Sequence, residues 1–231
     1  MVRHGRLFTP RWACIMLAAM VLGPGLHAQV TAPQYEVDRS WPKPLPDHWV
    51  IGGLADVCVD AQDHVFILNR QDVLEENLNA GSLAPSIIEF DPAGNVVNSW
   101  GDPELLDPRL HGCHVDIDNN IWIVSAPSGM VQKYSHDGDL LFQIGTKGVF
   151  DTSDGTARGR PLNSDAAQFL TPASIYVDPE NGDVYVADGE AQGRNRRIAV
   201  MDREGRFLRQ WQPDGMPDIH CMTGSRDGLV Y

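Results

Sequence analysis

The sequence predicts an all-β protein, a β-propeller of four-stranded antiparallel blades, and three observations support this prediction. A unit of apolar strand, polar turn and aromatic strand recurs along the chain. Each copy continues into two more short strands joined by a glycine turn, which gives the four strands of a propeller blade. Outside residues 1–28, no segment has apolar residues at helical spacing over ten positions.

The first half of the unit is a short apolar strand that ends in Asp and leads through a polar turn into a second strand. Superposing the copies aligns Asp60, Asp116 and Asp178, at spacings of 56 and 62 residues. Repeats of this length are typical of blades rather than of helix pairs. The recurring Asp is expected to stabilise its turn by accepting backbone N–H bonds. The aligned aromatic residues of the second strand are Phe66, Trp122 and Tyr185.

The second half of the unit is a predicted hairpin. Its copies are SIIEFDPAGNVVNSWG, MVQKYSHDGDLLFQIG and RIAVMDREGRFLRQWQ. Alternating apolar and polar residues follow a glycine at the point where a tight turn needs a positive φ. The glycines at this point are Gly94, Gly138 and Gly205.

A fourth copy begins at Asp218 and reaches Tyr231, the position equivalent to Phe66. Propellers close into a ring because open sheet edges promote pairing with other chains. We therefore expect six blades in the full protein, of which about three and a half are present.

Residues 1–28 have the order of a secretory signal peptide, with three arginines, an apolar run over residues 13–22 and a small-residue exit at Ala28. The apolar run is about half of the ~20 residues that a bilayer-spanning helix needs. We predict cleavage after Ala28 and a secreted protein, extracellular or periplasmic, with no integral membrane span. Residues 29–50 then form a Pro-rich lead-in segment, and residues 51–231 form the propeller.

The charge of the chain argues against one class of partner. Removing the three arginines changes the formal charge from −13 to −16, and a chain without a basic patch is not expected to bind nucleic acid.

Three cysteines remain after removal of the signal peptide, an odd number without short spacing, which argues against a disulfide framework. We expect Cys58, Cys113 and Cys221 to be small buried side chains.

The repeats, DVCVDAQDHVFIL, HGCHVDIDNNIWIV and PASIYVDPENGDVYVAD with their hairpins, resemble the NHL repeat from about residue 50 to residue 231. Within that group the chain resembles the six-bladed peptidyl-α-hydroxyglycine α-amidating lyase. This zinc enzyme splits an α-hydroxyglycine-extended peptide into a peptide amide and glyoxylate. The resemblance implies a carbon–nitrogen lyase that acts on a small peptide substrate.

In that lyase each zinc-binding His opens the innermost strand of a blade, five residues before the Asp position. His111 precedes Asp116 by five residues, and His220 precedes Ser225, the equivalent of that Asp, by the same spacing. The resemblance therefore implies zinc at His111 and His220, with a third His in a later blade. In the other two copies the position five residues before the recurring Asp holds Ala55 and Ala173.

The geometry of the repeat, independently of the resemblance, also predicts where these histidines lie. Innermost strands line the central channel of a propeller, so equivalent residues from different blades converge there. A structural role for His111 and His220 stays open beside metal binding. His114 lies three residues along the strand from His111, faces the other side and is expected to pack. His64 and His136 lie in turns and are expected to be solvated.

The resemblance also implies roles for Arg70 and Glu190. Arg70 matches the family's substrate-holding Arg, and a guanidinium suits a planar carboxylate. The family's catalytic Tyr follows an Asp-Gly pair in the third blade, where this chain has Glu190. Glu190 would have to replace the Tyr as general base. A surface ion pair for Arg70 and a salt-bridged loop tip for Glu190 remain alternatives.

Two further expectations concern calcium and a loop. A structural calcium, as the resemblance implies, would bind backbone carbonyls near Val57 and Cys113. Residues 145–170 form a long polar connection, either a channel-mouth loop or a flexible insertion.

Three hypotheses for the function remain. The first is a lyase-like metal site in the channel, and the second is a non-catalytic scaffold that binds a peptide or protein partner. The third is a calcium-dependent sugar-lactone hydrolase of the related six-bladed group, against which the paired histidine slot argues.

Overall fold

The computed structural model describes residues 32–107, 109–150, 168–190, 195–216, 218–225 and 228–231. The predicted signal peptide and residues 151–167 of the long polar loop lie outside these ranges. The blades belong to the compact unit Asp38–Tyr231, and the described residues 32–37 of the preceding unit form no helix or strand. The helices of the described ranges are two short 3-10 turns, Pro46–His48 and Glu75–Ala80, and neither could cross a bilayer.

The first blade follows the Pro-rich lead-in. Its part of the chain contains strands β1 (Trp49–Val50), β2 (Leu54–Val59), β3 (Val65–Asn69), β4 (Ser82–Leu83), β5 (Ile87–Phe90) and β6 (Val96–Trp100). Strands β2, β3, β5 and β6 form a four-stranded sheet in that order, with antiparallel neighbours. The two-residue strands β1 and β4 pair in parallel with each other.

Blades 2 and 3 repeat the same four-stranded antiparallel order. Blade 2 consists of β7 (Leu110–Val115), β8 (Ile121–Ser125), β9 (Met130–Tyr134) and β10 (Leu140–Ile144). Blade 3 consists of β11 (Pro172–Val177), β12 (Val184–Asp188), β13 (Arg197–Met201) and β14 (Phe207–Trp211). The predicted fold class and the four strands per unit are therefore confirmed.

The first strand of each sheet, β2, β7 or β11, is the innermost strand of its blade. Strand β7 packs beside both β2 and β11, so the three inner strands lie next to one another. The fourth copy begins a further hairpin, in which the backbone N–H and C=O groups of Thr223 and Tyr231 exchange bonds of 3.0 and 2.8 Å.

The recurring Asp of each copy stabilises its turn, as the sequence predicts. Its Oδ1 accepts a hydrogen bond from the backbone N–H two residues further on. The distance is 2.8 Å for Asp60 and Asp178 and 3.0 Å for Asp116. These carboxylates therefore hold the turn between the first and second strands.

The hairpin glycines have the predicted positive φ, which is 87° at Gly94, 96° at Gly138 and 78° at Gly205. At Gly138 the hairpin of blade 2 also lies against the Trp100 indole of blade 1. A Cβ on Gly138 would lie 2.5 Å from Trp100 Cγ. The turn therefore needs glycine for its backbone conformation and for the close approach of the neighbouring blade.

Apolar side chains fill the spaces between consecutive blades. The core between blades 1 and 2 includes Phe66, Leu110 and Tyr134. The core between blades 2 and 3 includes Trp122, Phe169 and Val186. On the other side of blade 1, buried Ile88 and Phe90 pack against the lead-in residues Trp41, Leu45 and Trp49.

The structure corrects the expectation for the cysteines. Cys58 on β2 and Cys113 on β7 form a disulfide with a Cα–Cα distance of 5.9 Å, where two unlinked buried thiols were expected. The bond is possible because the inner strands of blades 1 and 2 are neighbours. Cys221 was expected to be buried, but it is a free thiol and is exposed.

Candidate functional site

The three inner strands and the start of the fourth copy enclose a cavity of about 360 Å³. Strands β2, β7 and β11 form its walls together with residues 220–223, so each of the three blades contributes its innermost strand. We call this space the axial cavity. His111 and His220 both line it, which is where equivalent residues of innermost strands are expected to meet.

The two histidine rings are in contact. Their centroids are 4.9 Å apart, and the rings meet edge to face. His111 is the second residue of β7 and is largely buried, whereas His220 precedes the hairpin of the fourth copy and is more than half exposed. The pair therefore has one fixed ring and one that solvent reaches.

Glu190 approaches both histidines from the turn after β12. Its Oε2 lies 3.0 Å from His111 Nε2, and its Oε1 lies 3.8 Å from His220 Nε2. The candidate ligand atoms of the three residues all lie within 4.8 Å of one another. Ligand atoms on a tetrahedral zinc with ~2.1 Å bonds are ~3.4 Å apart, a value between the two distances. Two imidazoles and a carboxylate could thus hold one divalent ion.

A hydrogen bond on the other side of the His111 ring determines which ring nitrogen carries the proton. Nδ1 lies 2.9 Å from the Ala173 carbonyl, which can only accept, so Nδ1 carries the proton. In the neutral ring Nε2 is then a lone-pair acceptor that faces the Glu190 carboxylate. Two acceptors at 3.0 Å need a cation between them, either a proton on Nε2 or a metal ion. A backbone carbonyl on the second nitrogen is typical of metal-binding histidine.

A buried ion pair, which the repeat pattern does not predict, lies at the end of the strand that leads to Glu190. Arg197 Nε donates to Asp188 Oδ2 at 2.9 Å, and both side chains are fully buried. Asp188 Oδ1 accepts the backbone N–H groups of Leu170 and Thr171 at 3.0 and 2.9 Å. One sequence signal for Asp188 is its position, three residues after the aromatic residue of the second strand. The other copies also have a polar residue there, Asn69 or Ser125.

Arg70, the predicted substrate-holding residue, lies just after β3. Its Nε donates to the carbonyl of Leu110 at 3.1 Å, so the guanidinium is anchored beside the residue that precedes His111. The residues that line the axial cavity do not include Arg70. It therefore lies beside the strand that carries His111.

The other predicted residues of the inner strands also lie at the cavity. Val57 and Cys113 are both part of its lining, and the Cys113 backbone N–H donates to Asp56 Oδ2 at 2.9 Å. Calcium binding by their carbonyls stays a prediction. His114 packs edge-on against Tyr176 with centroids 5.4 Å apart, and burial lowers its pKa.

His64 and His136 differ from the expectation of solvated turn residues. Both rings contact the buried carboxylate of Glu89, at 2.5 Å from His64 Nδ1 and 3.3 Å from His136 Nε2. The hydrogen bond to Glu89 raises the pKa of His64. His64 meets Glu89 within blade 1, whereas His136 reaches it from the hairpin of blade 2, a contact that repeat alignment alone does not show.

Several proteins of known sequence are similar to this chain over most of its length. It is 27% identical over 181 residues to NHL repeat-containing protein 3 of Homo sapiens, which covers 77% of this chain and 45% of that protein. It is 26% identical over 176 residues to peptidylglycine alpha-amidating monooxygenase of Rattus norvegicus, covering 69% of this chain and 16% of that protein. It is 25% identical over 193 residues to peptidyl-alpha-hydroxyglycine alpha-amidating lyase 1 of Drosophila melanogaster, covering 77% and 32%. The chain thus spans less than half the length of these relatives.

Solved structures share the fold. A streptogramin B lyase superposes with a TM-score of 0.53 at 14% identity, over 82% of this chain and 49% of that one. Virginiamycin B lyase from Staphylococcus aureus gives a TM-score of 0.50 at 13% identity, over 77% and 47%. No family model matches the sequence.

Three four-stranded antiparallel sheets, whose first strands surround a common cavity, define a β-propeller protein. More particularly, the chain is similar in sequence to an NHL repeat-containing protein and to the peptidylglycine α-amidating enzymes.

Proposed function

We propose that the protein is an exported, zinc-dependent carbon–nitrogen lyase of the amidating type, with its active centre at the axial cavity. The observation that carries the proposal is the approach of His111, His220 and Glu190 to one point. Imidazole nitrogens are ligands of catalytic zinc, and the Glu190 carboxylate beside them is close enough to act on a substrate that the ion binds. Similarity to amidating enzymes of two animals supports the type of reaction.

Zinc in such a centre would act as a Lewis acid that lowers the pKa of a bound hydroxyl group. Glu190 stands at the position of the family's catalytic Tyr and would take the hydroxyl proton of an α-hydroxyglycine substrate. Breaking the Cα–N bond then forms the C=O of glyoxylate and leaves the electron pair on the amide nitrogen, which is protonated. The products are a peptide amide and glyoxylate.

Arg70 would hold the carboxylate of the substrate. Its Nε bond to the Leu110 carbonyl keeps the guanidinium beside the strand that carries His111. The remaining guanidinium donors suit a planar carboxylate. A small peptide that ends in α-hydroxyglycine has this carboxylate two bonds from its reacting hydroxyl.

Export is supported by two independent features. Residues 1–28 have the order of a signal peptide. The Cys58–Cys113 disulfide requires an oxidising compartment to form and persist.

The test is glyoxylate release by the full chain supplied with Zn²⁺ and an α-hydroxyglycine-extended peptide. Removal of zinc and the variant His111→Ala should each reduce the rate at least a hundredfold, and His48→Ala, which alters an exposed histidine, should not change it. Glu190→Gln should abolish release while zinc stays bound, because the amide cannot accept the hydroxyl proton. A zinc-loaded chain that forms no glyoxylate would contradict the lyase assignment.

The second candidate is a non-catalytic scaffold, which one specific observation favours. Glu190 replaces the family's catalytic Tyr, and a protonated His111 paired with Glu190 would be a purely structural contact. In that case the axial cavity would bind peptide without turnover, and the rate of glyoxylate formation would equal the rate without protein.

A further inference from the structure

A second group of ionisable side chains lies in the crevice between blades 1 and 2. Asp60 follows β2, His64 precedes β3 and Glu89 lies on β5, all in blade 1, whereas His136 belongs to the β9–β10 hairpin of blade 2. We call these four residues the crevice quartet. They are not among the residues that line the axial cavity, so the quartet is separate from the site described above.

The ligand atoms of the quartet converge. His64 Nδ1 lies 2.5 Å from Glu89 Oε1 and 4.0 Å from Asp60 Oδ2. His136 Nε2 lies 3.3 Å from Glu89 Oε1 and 3.5 Å from Asp60 Oδ2. The ligand atoms of all four residues lie within 4.8 Å of one another. These distances bracket the ~3.4 Å between ligand atoms on a tetrahedral zinc.

Both carboxylates are buried and incompletely satisfied. The side chains of Asp60 and Glu89 are 1% and 2% exposed. Within the described ranges, Asp60 Oδ2 and Glu89 Oε2 accept no hydrogen bond. A buried carboxylate needs a positive partner or hydrogen-bond donors. Here the nearby positive partners are two imidazoles, which carry a full charge only when they are protonated.

The next crevice, between blades 2 and 3, satisfies the equivalent Asp with permanent donors. There Asp116 Oδ2 accepts Lys133 Nζ at 2.8 Å and Trp122 Nε1 at 2.9 Å. Lys133 pairs with Trp122 across β8 and β9 as Glu89 pairs with Phe66 across β3 and β5, so Glu89 and Lys133 are equivalent. The permanent ammonium of blade 2 is therefore replaced in blade 1 by a second carboxylate.

Two more substitutions accompany this change. His64 lies four residues after Asp60, where blade 2 has Asn120 after Asp116. His136 lies two residues before the turn glycine, where the next hairpin has Arg203. Relative to the next crevice, the blade 1–blade 2 crevice thus loses a lysine and an arginine and gains two metal-ligating imidazoles and a carboxylate.

We propose that the crevice quartet is a binding site for a divalent transition-metal ion of the zinc type, held by two imidazole nitrogens and two carboxylate oxygens. Imidazole favours zinc and its neighbours over magnesium and calcium, and carboxylates complete the set. The ion supplies the permanent positive charge that Lys133 supplies in the next crevice. The imidazoles are 28% and 34% exposed, which gives an ion access from solvent.

The site is structural in kind, because it joins His136 of blade 2 to three residues of blade 1. A ligand that binds only the folded state raises stability in proportion to the logarithm of its concentration over Kd. At a hundredfold excess over Kd, zinc should raise the Tm of this propeller unit by about 5–10 °C.

The test measures zinc binding by calorimetry and elemental analysis on the full chain with His111→Ala, so that the axial centre does not contribute. This variant should bind zinc at the quartet. Adding Glu89→Lys, which installs the blade 2 residue, should abolish that binding and the rise in Tm. Adding His48→Ala, which removes an exposed histidine, should leave both unchanged.

A second variant tests the same site without changing a buried residue, so that a loss of zinc binding cannot be attributed to misfolding. His136→Gln changes a partly exposed hairpin residue and keeps the buried carboxylates, and it should weaken zinc binding at least tenfold. If the His111→Ala chain takes up no zinc at micromolar concentration, the quartet is an internal ion-pair cluster and the proposal is wrong. Zinc binding that His136→Gln leaves unchanged would equally overturn the ligand assignment.

Discussion

Removing the disulfide between blades 1 and 2 should destabilise the propeller unit by a predictable amount. Cys58 and Cys113 are 55 residues apart in sequence. The chain-entropy relation for a loop of this length gives a loss of about 4 kcal/mol for the double variant Cys58→Ala/Cys113→Ala. Equilibrium unfolding in urea, monitored by tryptophan fluorescence, measures this difference as a lower midpoint.

The exposed free thiol provides the matched control. Cys221→Ala removes a cysteine without a disulfide, so its urea midpoint should equal that of the unaltered chain. The reduced unaltered chain should unfold at the midpoint of the double variant. Equal midpoints for the oxidised chain and the double variant would contradict this prediction, since they would mean that the bond does not constrain the unfolded chain.

Three further variants test the contacts that hold the turns. Arg197→Met should cost about 3–5 kcal/mol in urea unfolding, because it leaves the buried Asp188 carboxylate without its cation; a loss under 1 kcal/mol would contradict this. Burial tends to raise the pKa of Asp116, but hydrogen bonds led by that from Lys133 outweigh it and lower the pKa. The stability this gives is complete above the unfolded-state pKa of ~3.9 and is lost as pH falls through the lower folded-state value. Asp116→Asn should therefore cost about 1–3 kcal/mol at pH 7 and much less near pH 3, and a cost independent of pH would contradict the ion pair. Gly138→Ala should cost about 1–2 kcal/mol in the same assay because its φ is 96°, and no change would show that the turn relaxes.

The repeat pattern predicts the blades because every local signal agrees with the fold. An Asp that caps its own turn and a glycine that permits a positive φ act within a few residues of chain, so sequence spacing is enough to identify them. Asp60 and Gly94 both behave as the alignment predicts. The innermost position of each first strand then follows from the order of strands in a blade.

Contacts between blades are harder to predict because they depend on how neighbouring sheets are offset. Cys58 and Cys113 occupy different slots of the repeat, two and three residues before the recurring Asp, so alignment does not pair them. His136 looks like an exposed turn residue until the hairpin of blade 2 is placed against blade 1. A usable signal existed in the exchange of a lysine for Glu89 at one repeat position.

The axial site is only partly predictable from the sequence. Equivalent slots on inner strands predict that His111 and His220 meet, and their rings are 4.9 Å apart. Glu190 was identified through its place in the family pattern as a replacement for a base. The buried Asp188–Arg197 pair, of which Asp188 lies two residues before Glu190 in the chain, is not revealed by the repeat spacing.

The zinc content of the axial centre is the decisive measurement for the proposed lyase. In the His136→Gln background, where the crevice quartet is impaired, the full chain should retain one tightly bound zinc by elemental analysis, and adding His111→Ala should remove it. Equal zinc in the two chains would show that His111 does not hold a metal, and the proposed lyase centre would then be wrong.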